Sequence, residues 1–388
     1  MTTSETGGTG RYLVLLEDDS TVVGTRELNR LTGIRCANTA DAAGAGPGEL
    51  FSSAGGIVLN QLGVALISAD DDQVANLQRA AGETGPIAGI ESERRVFAIT
   101  EPAPPAEGEF TWGIQAVRSG NAQPTGRGVR VAVLDTGLDM QHPDFAGRDI
   151  VTGSFVEGQD VQDGHGHGTH VIGTACGPRN PQSGPGYGVA SEASIYAGKV
   201  LGDDGSGSDG GILSGIEWAI SNGCGVVSMS LGSPTQPGQP YSEAFERIAR
   251  RAMQRGTLII AAAGNESQRS TGVIAPVGHP ANCPSVMAVG AVDPQLRIAD
   301  FSSGTVDEIG QVDVVGPGVD VYSSWPGAER YRKLSGTSMA TPHVAGIAAL
   351  HAQQHAERAW GLWARLTQSA RRLPLPSTDV GAGLVQAP

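Results

Sequence analysis

Val129-Arg-Val-Ala-Val-Leu134 is an almost unbroken apolar run, and Asp135-Thr-Gly137 follows it at once. A run this short, rich in valine, reads as a strand buried on both faces, the kind found inside parallel sheets. The pattern recurs in Ser194-Ile-Tyr-Ala-Gly-Lys-Val-Leu201, Gly225-Val-Val-Ser-Met-Ser-Leu231, Thr257-Leu-Ile-Ile-Ala-Ala262 and Ser285-Val-Met-Ala-Val-Gly-Ala291. Between these runs lie stretches with helical spacing, among them residues 210–222 and 241–255. Strands alternating with helices give an α/β fold, expected here as a three-layer sandwich with a mainly parallel central sheet. Reactive groups in such sheets collect at the carboxyl ends of the strands, which is where Asp135 stands.

Two motifs further along supply partners for that carboxylate. His165-Gly-His-Gly-Thr-His170 offers His167, and Gly336-Thr-Ser-Met-Ala-Thr-Pro-His-Val-Ala-Gly346 offers Ser338. A serine hydroxyl is a weak nucleophile at neutral pH; it needs a base to take its proton, and the base needs a carboxylate to hold its tautomer. Both residues precede helical stretches. Pro342 is tolerated only near a helix start, so Ser338 is expected close to the helix N-terminus. Free N–H groups and the helix dipole there can stabilise a developing oxyanion.

With Ala261-Ala-Ala-Gly-Asn265 between the second and third motifs, the set resembles the subtilisin-like serine proteases (subtilases, peptidase family S8) over about residues 112–388. The chain order Asp, His, Ser is the known order of that family. The resemblance implies a serine endopeptidase working through an acyl-enzyme, with Asp135, His167 and Ser338 as the triad. The oxyanion hole would be the Asn265 amide together with the Ser338 N–H. It also implies a substrate bound as an extended strand between Gly205-Ser206-Gly207 and Ser230-Leu231-Gly232. Ala262, Ala263 and Gly264, with Gly232, would line a roomy apolar pocket for the residue before the scissile bond. Glu266 near its mouth would favour a basic residue, or be a plain surface glutamate. No cofactor is implied for the chemistry. A structural calcium is expected to be weak or absent: Asp144 is its one candidate ligand, and residues 177–187 offer no carboxylate and carry Arg179, whereas calcium wants six to eight oxygens. His165, His167 and His170 lack the spacing of a helical zinc motif. His170 and His343 read as structural, and His165 as a rim residue.

Residues 11–100 carry a different pattern: strand, helix, a hairpin over 56–69, helix, strand, as in a small ferredoxin-like unit. Asp70-Asp-Asp72 opens the second helix, where the dipole favours acids. This unit, with its closing Glu93-Arg-Arg-Val-Phe-Ala-Ile99, resembles the propeptide of subtilisin-like zymogens. That resemblance implies an inhibitor and folding assistant removed by the enzyme's own cut, placed between about Ala98 and Glu109. The expected organisation is a disordered tail (1–10), the propeptide domain (11–100), a Pro-rich linker with the processing region (101–111) and the catalytic domain (112–388).

Composition excludes other classes. The net charge is −14, divided as −6 over residues 1–100 and −8 over the rest. An acidic body repels phosphate backbones and anionic lipid, so neither nucleic acid nor membrane is an expected partner. No stretch approaches the roughly 18 apolar residues of a membrane span. The expected partners are a polypeptide substrate and the chain's own propeptide, and the expected state is a monomer. The N-terminus shows no secretory signal, which points to the cytoplasm unless a signal has been removed. The use would then be dedicated maturation of a peptide or protein, with general degradation as the rival. The four cysteines show no metal-type spacing; buried thiols are the default, with a disulfide left open.

Overall fold

The structure, a computed structural model, describes residues 10–17, 21–41, 54–81, 85–98, 101–102 and 108–388. The tail expected over 1–10 lies almost wholly outside this range, as do residues 103–107 of the linker and most of the processing window.

Seven strands form the central sheet, in the spatial order Val314–Pro317, Met287–Val292, Leu258–Ala262, Val226–Met229, Arg130–Asp135, Ser194–Lys199, Ile150–Ser154. All six pairings are parallel. Every residue of Leu258–Ala262 and Met287–Val292 is buried, so both faces are covered. The five apolar runs read from the sequence are five of these strands. The sequence reading missed the two edge strands, Ile150–Ser154 and Val314–Pro317. The first carries Thr152 and Ser154 and is half-buried; the second is only four residues long and ends in Pro317. Arg130–Asp135 is the strand at which the order reverses: its neighbours follow it in the chain on opposite sides. Such a switch point opens a crevice at the carboxyl ends.

The helices His167–Cys176 and Thr337–His355 pack against each other, and the second lies across five strands of the sheet. Asp209–Ser221 and Glu243–Gln254 begin with caps: the Ser208 hydroxyl accepts from the Gly211 N–H, and the Ser242 hydroxyl accepts from the Phe245 N–H. Ser at these positions satisfies helix-end donors that would otherwise be orphaned.

The leading domain has a five-stranded sheet in the order Cys36–Asn38, Gly56–Leu59, Val64–Ser68, Arg11–Leu16, Ile87–Ser92. Apart from the short Cys36–Asn38, which pairs in parallel, this is the antiparallel order of a ferredoxin-like unit. The expected hairpin is present, with Gly63 at φ 63° in its turn. Its strands alternate with period two. Val14, Leu16, Val58, Ala65 and Ile67 pack with Leu28 and Leu77 of the domain's own helices. Leu13, Leu15, Ile57, Leu59, Val64 and Leu66 instead join the core of the main domain. All four cysteines are unpaired, and Cys176, Cys224 and Cys283 are buried. Among the described residues no helix is long and apolar enough to cross a membrane.

Candidate active site

Asp135 ends the switch-point strand Arg130–Asp135, and His167 begins the helix His167–Cys176. The two meet through His167 Nδ1 and Asp135 Oδ1 at 2.7 Å, both side chains wholly buried. A carboxylate on Nδ1 fixes the imidazole in the tautomer that leaves Nε2 to accept a proton. The turn into this helix needs glycine twice. Gly166 sits at φ 101°, and a Cβ on Gly168 would stand 2.2 Å from the Gly137 carbonyl oxygen.

Asp163 organises that turn, and the sequence reading missed it. Its Oδ1 accepts from Thr136 Oγ1 and from the His165 and Gly166 N–H groups. Its Oδ2 accepts from the Thr169 N–H and hydroxyl. Lys199 was also missed. It is fully buried and directly opposite Asp135 in the sheet, and it donates to the Thr136 carbonyl at 2.6 Å, the Gln162 carbonyl at 3.3 Å and Asp203 at 2.7 Å. It therefore ties the loop after the Asp to the loop before the His. One signal was legible: Lys occurs only at 199 and 333, and Lys199 interrupts an apolar strand.

Ser338 is the second residue of Thr337–His355, just after Gly336. Its hydroxyl donates to the Ser230 carbonyl at 3.1 Å, and the Ser230 hydroxyl donates to the Ser338 carbonyl at 2.7 Å. Asn265 follows the strand Leu258–Ala262. Its Oδ1 accepts from the Thr337 N–H at 2.9 Å and the Thr337 hydroxyl at 2.8 Å. With the amide oxygen held on that side, the NH₂ group is directed the other way, as a donor. Asp135, His167 and Ser338 are each at 0% exposure.

The cleft walls are occupied by the chain itself. Strand Arg95–Ala98 lies antiparallel to Ser206–Ser208 on one side and to Leu231–Gly232 on the other. Phe97 pairs with both Ser206 and Gly232, Val96 with Gly207, and Ala98 with Leu231. Beyond the gap at 99–100, Glu101 pairs with Ser335 and Pro102 with Leu334. Ala262 and Ala263 are buried and Gly264 has φ 115°, its N–H donating to Thr337 Oγ1. Glu266 is half-buried beside Ser303, and burial raises its carboxyl above the usual range. His165, half-buried, stands edge-on to His167 and against Gly205.

His170 and His343 are structural. His170 Nε2 bonds the Val321 and Arg332 carbonyls, and burial holds its pKa down to about 3. His343 bonds the Met339 carbonyl and is held at about 4, again by burial. Asp144 does not suit calcium: its Oδ2 accepts from the Tyr187 and Tyr331 hydroxyls and its Oδ1 from the Gln182 N–H. Three donors around one carboxylate form an anion's surroundings, whereas a cation needs converging oxygens. Among the described residues no three His, Cys, Asp or Glu side chains converge as a metal site would.

The subtilase family matches residues 126–378, and the chain belongs to that family. Among its relatives, M-protease of Shouchella clausii (strain KSM-K16) is 43% identical over 273 residues, 69% of this chain and 64% of that protein. Subtilisin E of Bacillus subtilis (strain 168) is 46% identical over 231 residues, 60% of this chain and 57% of that protein. Subtilisin Savinase of Lederbergia lenta is 45% identical over 248 residues, 63% of this chain and 84% of that protein. The chain thus spans somewhat under two thirds of the length of the first two.

Proposed function

We propose that this chain is a serine endopeptidase made as a zymogen. The observation that carries the reading is the buried Asp135–His167 bond at the carboxyl end of strand Arg130–Asp135, beside the helix that bears Ser338. Ser338 Oγ leaves the Ser230 carbonyl, passes its proton to His167 Nε2 and attacks the substrate carbonyl carbon. Asp135 stabilises the imidazolium that forms. The Asn265 amide and the Ser338 N–H receive the oxyanion. Collapse expels the amine, which takes the proton from His167, and leaves an acyl-enzyme; water, deprotonated by His167, then releases the acid and restores Ser338. The substrate is a polypeptide laid as an extended strand between 205–207 and 230–232, where backbone pairing supplies grip and the pocket at 262–264 supplies selection.

The leading domain acts as propeptide and inhibitor. Its strand Arg95–Ala98 fills the substrate place, and no solvent reaches the three catalytic side chains while it is docked. Ala98 is the last residue paired on one side of the cleft and Glu101 the first on the other, against Ser335, three positions before Ser338. The self-cut therefore falls at the Ile99–Thr100 bond, at the early end of the 98–109 window. An active-site fluorophosphonate tests the reading. The self-processed wild type should be labelled at Ser338 and should show Thr100 as its new N-terminus. Absence of both labelling and peptide hydrolysis would overturn it.

A further inference from the structure

The ladder that holds strand Arg95–Ala98 does not stop at Ser208. One residue further, the Asp209 N–H donates to the Arg94 carbonyl at 2.9 Å, and the Arg94 N–H donates to Asp209 Oδ2 at 2.9 Å. A side chain here does the work of a backbone carbonyl, because the main chain at Asp209 has already turned into the helix Asp209–Ser221. Asp209 is not needed as that helix's cap, since Ser208 already fills the role. Its carboxylate is fully buried, and its Oδ1 meets His279 Nε2 at 3.1 Å. Phe245 stands edge-on to His279 at 4.6 Å and fixes the ring.

The Arg94 guanidinium completes the cluster. Nη1 lies 3.2 Å from His279 Nδ1, 3.4 Å from its Nε2 and 3.9 Å from Asp209 Oδ2. An atom nearly equidistant from both ring nitrogens sits over the ring face, because in the plane it would collide with the carbon between them. Guanidinium groups favour this arrangement, stacked on a ring with a carboxylate at the edge. Glu91 also reaches Arg94, at 3.5 Å, but belongs to the leading domain. Asp209, His279 and Phe245 all belong to the main domain and stay when the leading domain departs.

We propose that Asp209 and His279 form a guanidinium-binding subsite at the far end of the cleft. It selects substrates with arginine three residues before the one that pairs with Gly232. The carboxylate takes that residue's N–H and attracts its side-chain charge, and the imidazole supplies the face on which the guanidinium lies. A lysine serves less well, having no plane to stack. The use of the subsite rests on the endopeptidase reading; its geometry does not.

The test compares two fluorogenic peptides with the chain's own sequence from Ser92 to Pro102, one native and one with Arg94→Ala. On self-processed wild type, kcat/KM should favour arginine by about tenfold, as expected for a charge-assisted contact, and the difference should lie in KM. On Asp209→Asn the ratio should fall to about one; a ratio within one enzyme is insensitive to how much of that enzyme has folded. Cleavage of both peptides at equal rates by wild type, or an unchanged preference in Asp209→Asn, overturns the subsite and leaves the protease reading standing. Should neither peptide be cut, the protease reading fails, and hydrogen exchange in the full-length Ser338→Ala chain decides the subsite. Adding Arg94→Ala should speed exchange along Ser206–Ser208 about tenfold; unchanged exchange overturns the proposal.

Discussion

In the parallel sheet, helices of the same domain bury both faces of strands such as Leu258–Ala262; in the leading sheet they bury one. The other face, with Leu13, Ile57, Leu59 and Leu66, is apolar as well, and the main domain covers it. One region therefore carries its complete core in its own sequence. The other carries a core whose second half is its neighbour. By the usual value of about 25 cal/mol per Å² of apolar surface removed from water, a face of this size contributes much of what a domain this small has to offset its chain entropy. The leading domain is thus built to fold against its partner.

The same asymmetry appears in the polar contacts. Two helices of the main domain present their N-termini to the leading domain, and two of its carboxylates receive them. Glu93 Oε1 accepts from the Gly210 N–H at 2.6 Å, and Glu91 Oε1 accepts from the Ala244 N–H at 2.9 Å. Carboxylates are favourable at such ends. Leu66 packs over the first of these ends, where a Cβ on Gly210 would lie 2.1 Å from its methyl group.

The largest expected effect breaks the main domain's half of the comparison. Ser338→Ala should fold, keep its leading domain uncut, and lose turnover by about 10⁶, the factor known for subtilisin's own catalytic serine. Turnover comparable to wild type would remove Ser338 from the nucleophile's role. Next comes Asn265→Ala, expected to lower kcat by about 10²–10³ with KM little changed, again the range known for the subtilisin asparagine. A change confined to KM would assign Asn265 to ground-state binding.

Much of this contrast was legible in the sequence. The unbroken runs gave the parallel sheet because burial on both faces removes the need for alternation, and the first two motifs supplied Asp135 and His167, which meet. The leading domain's runs, such as Val64-Ala-Leu-Ile-Ser68, carried the same signal of two apolar faces, but a run cannot say whose residues cover the second face. Of the edge strands, Ile150–Ser154 faded because half-exposed positions tolerate polar residues, and Val314–Pro317 because it is short and ends in proline. Asp163, Lys199 and Asp209 were passed over for another reason. A lone charged residue in a loop, at a helix start or at the end of a strand usually faces solvent, and only the tertiary fold shows that these three are buried and ringed by partners.

Smaller effects sharpen the leading domain's half. Leu66→Ala removes apolar surface from the shared face, and large-to-small changes at buried sites cost about 2–5 kcal/mol. Part of that falls on the leading domain's own fold. The free leading segment, added in trans to processed enzyme, should inhibit about 10–10² times less well. Inhibition equal to that of the native segment would show that the shared face adds nothing to the grip.

Glu91→Gln should have the smallest effect, and salt separates its cause from that of Leu66→Ala. Glu91 holds two donors at one helix start, the Ala244 N–H and the Ser242 hydroxyl, the latter at 2.5 Å. Glutamine keeps one acceptor oxygen for these two donors and removes the charge that faces the helix dipole. A charge at a helix end is worth about 0.3–1 kcal/mol at low ionic strength. Inhibition in trans should therefore weaken about two- to fivefold in dilute buffer. At about 1 M salt the Debye length falls to about 3 Å, and the charge term is largely screened. The gap between Glu91→Gln and the native segment should then close, while the gap for Leu66→Ala should persist or widen, since apolar burial is not screened. Inhibition constants measured at both salt levels decide the matter. If the Glu91→Gln gap survives high salt unchanged, the carboxylate acts through hydrogen-bond geometry alone, and the helix-dipole account of this contact is wrong.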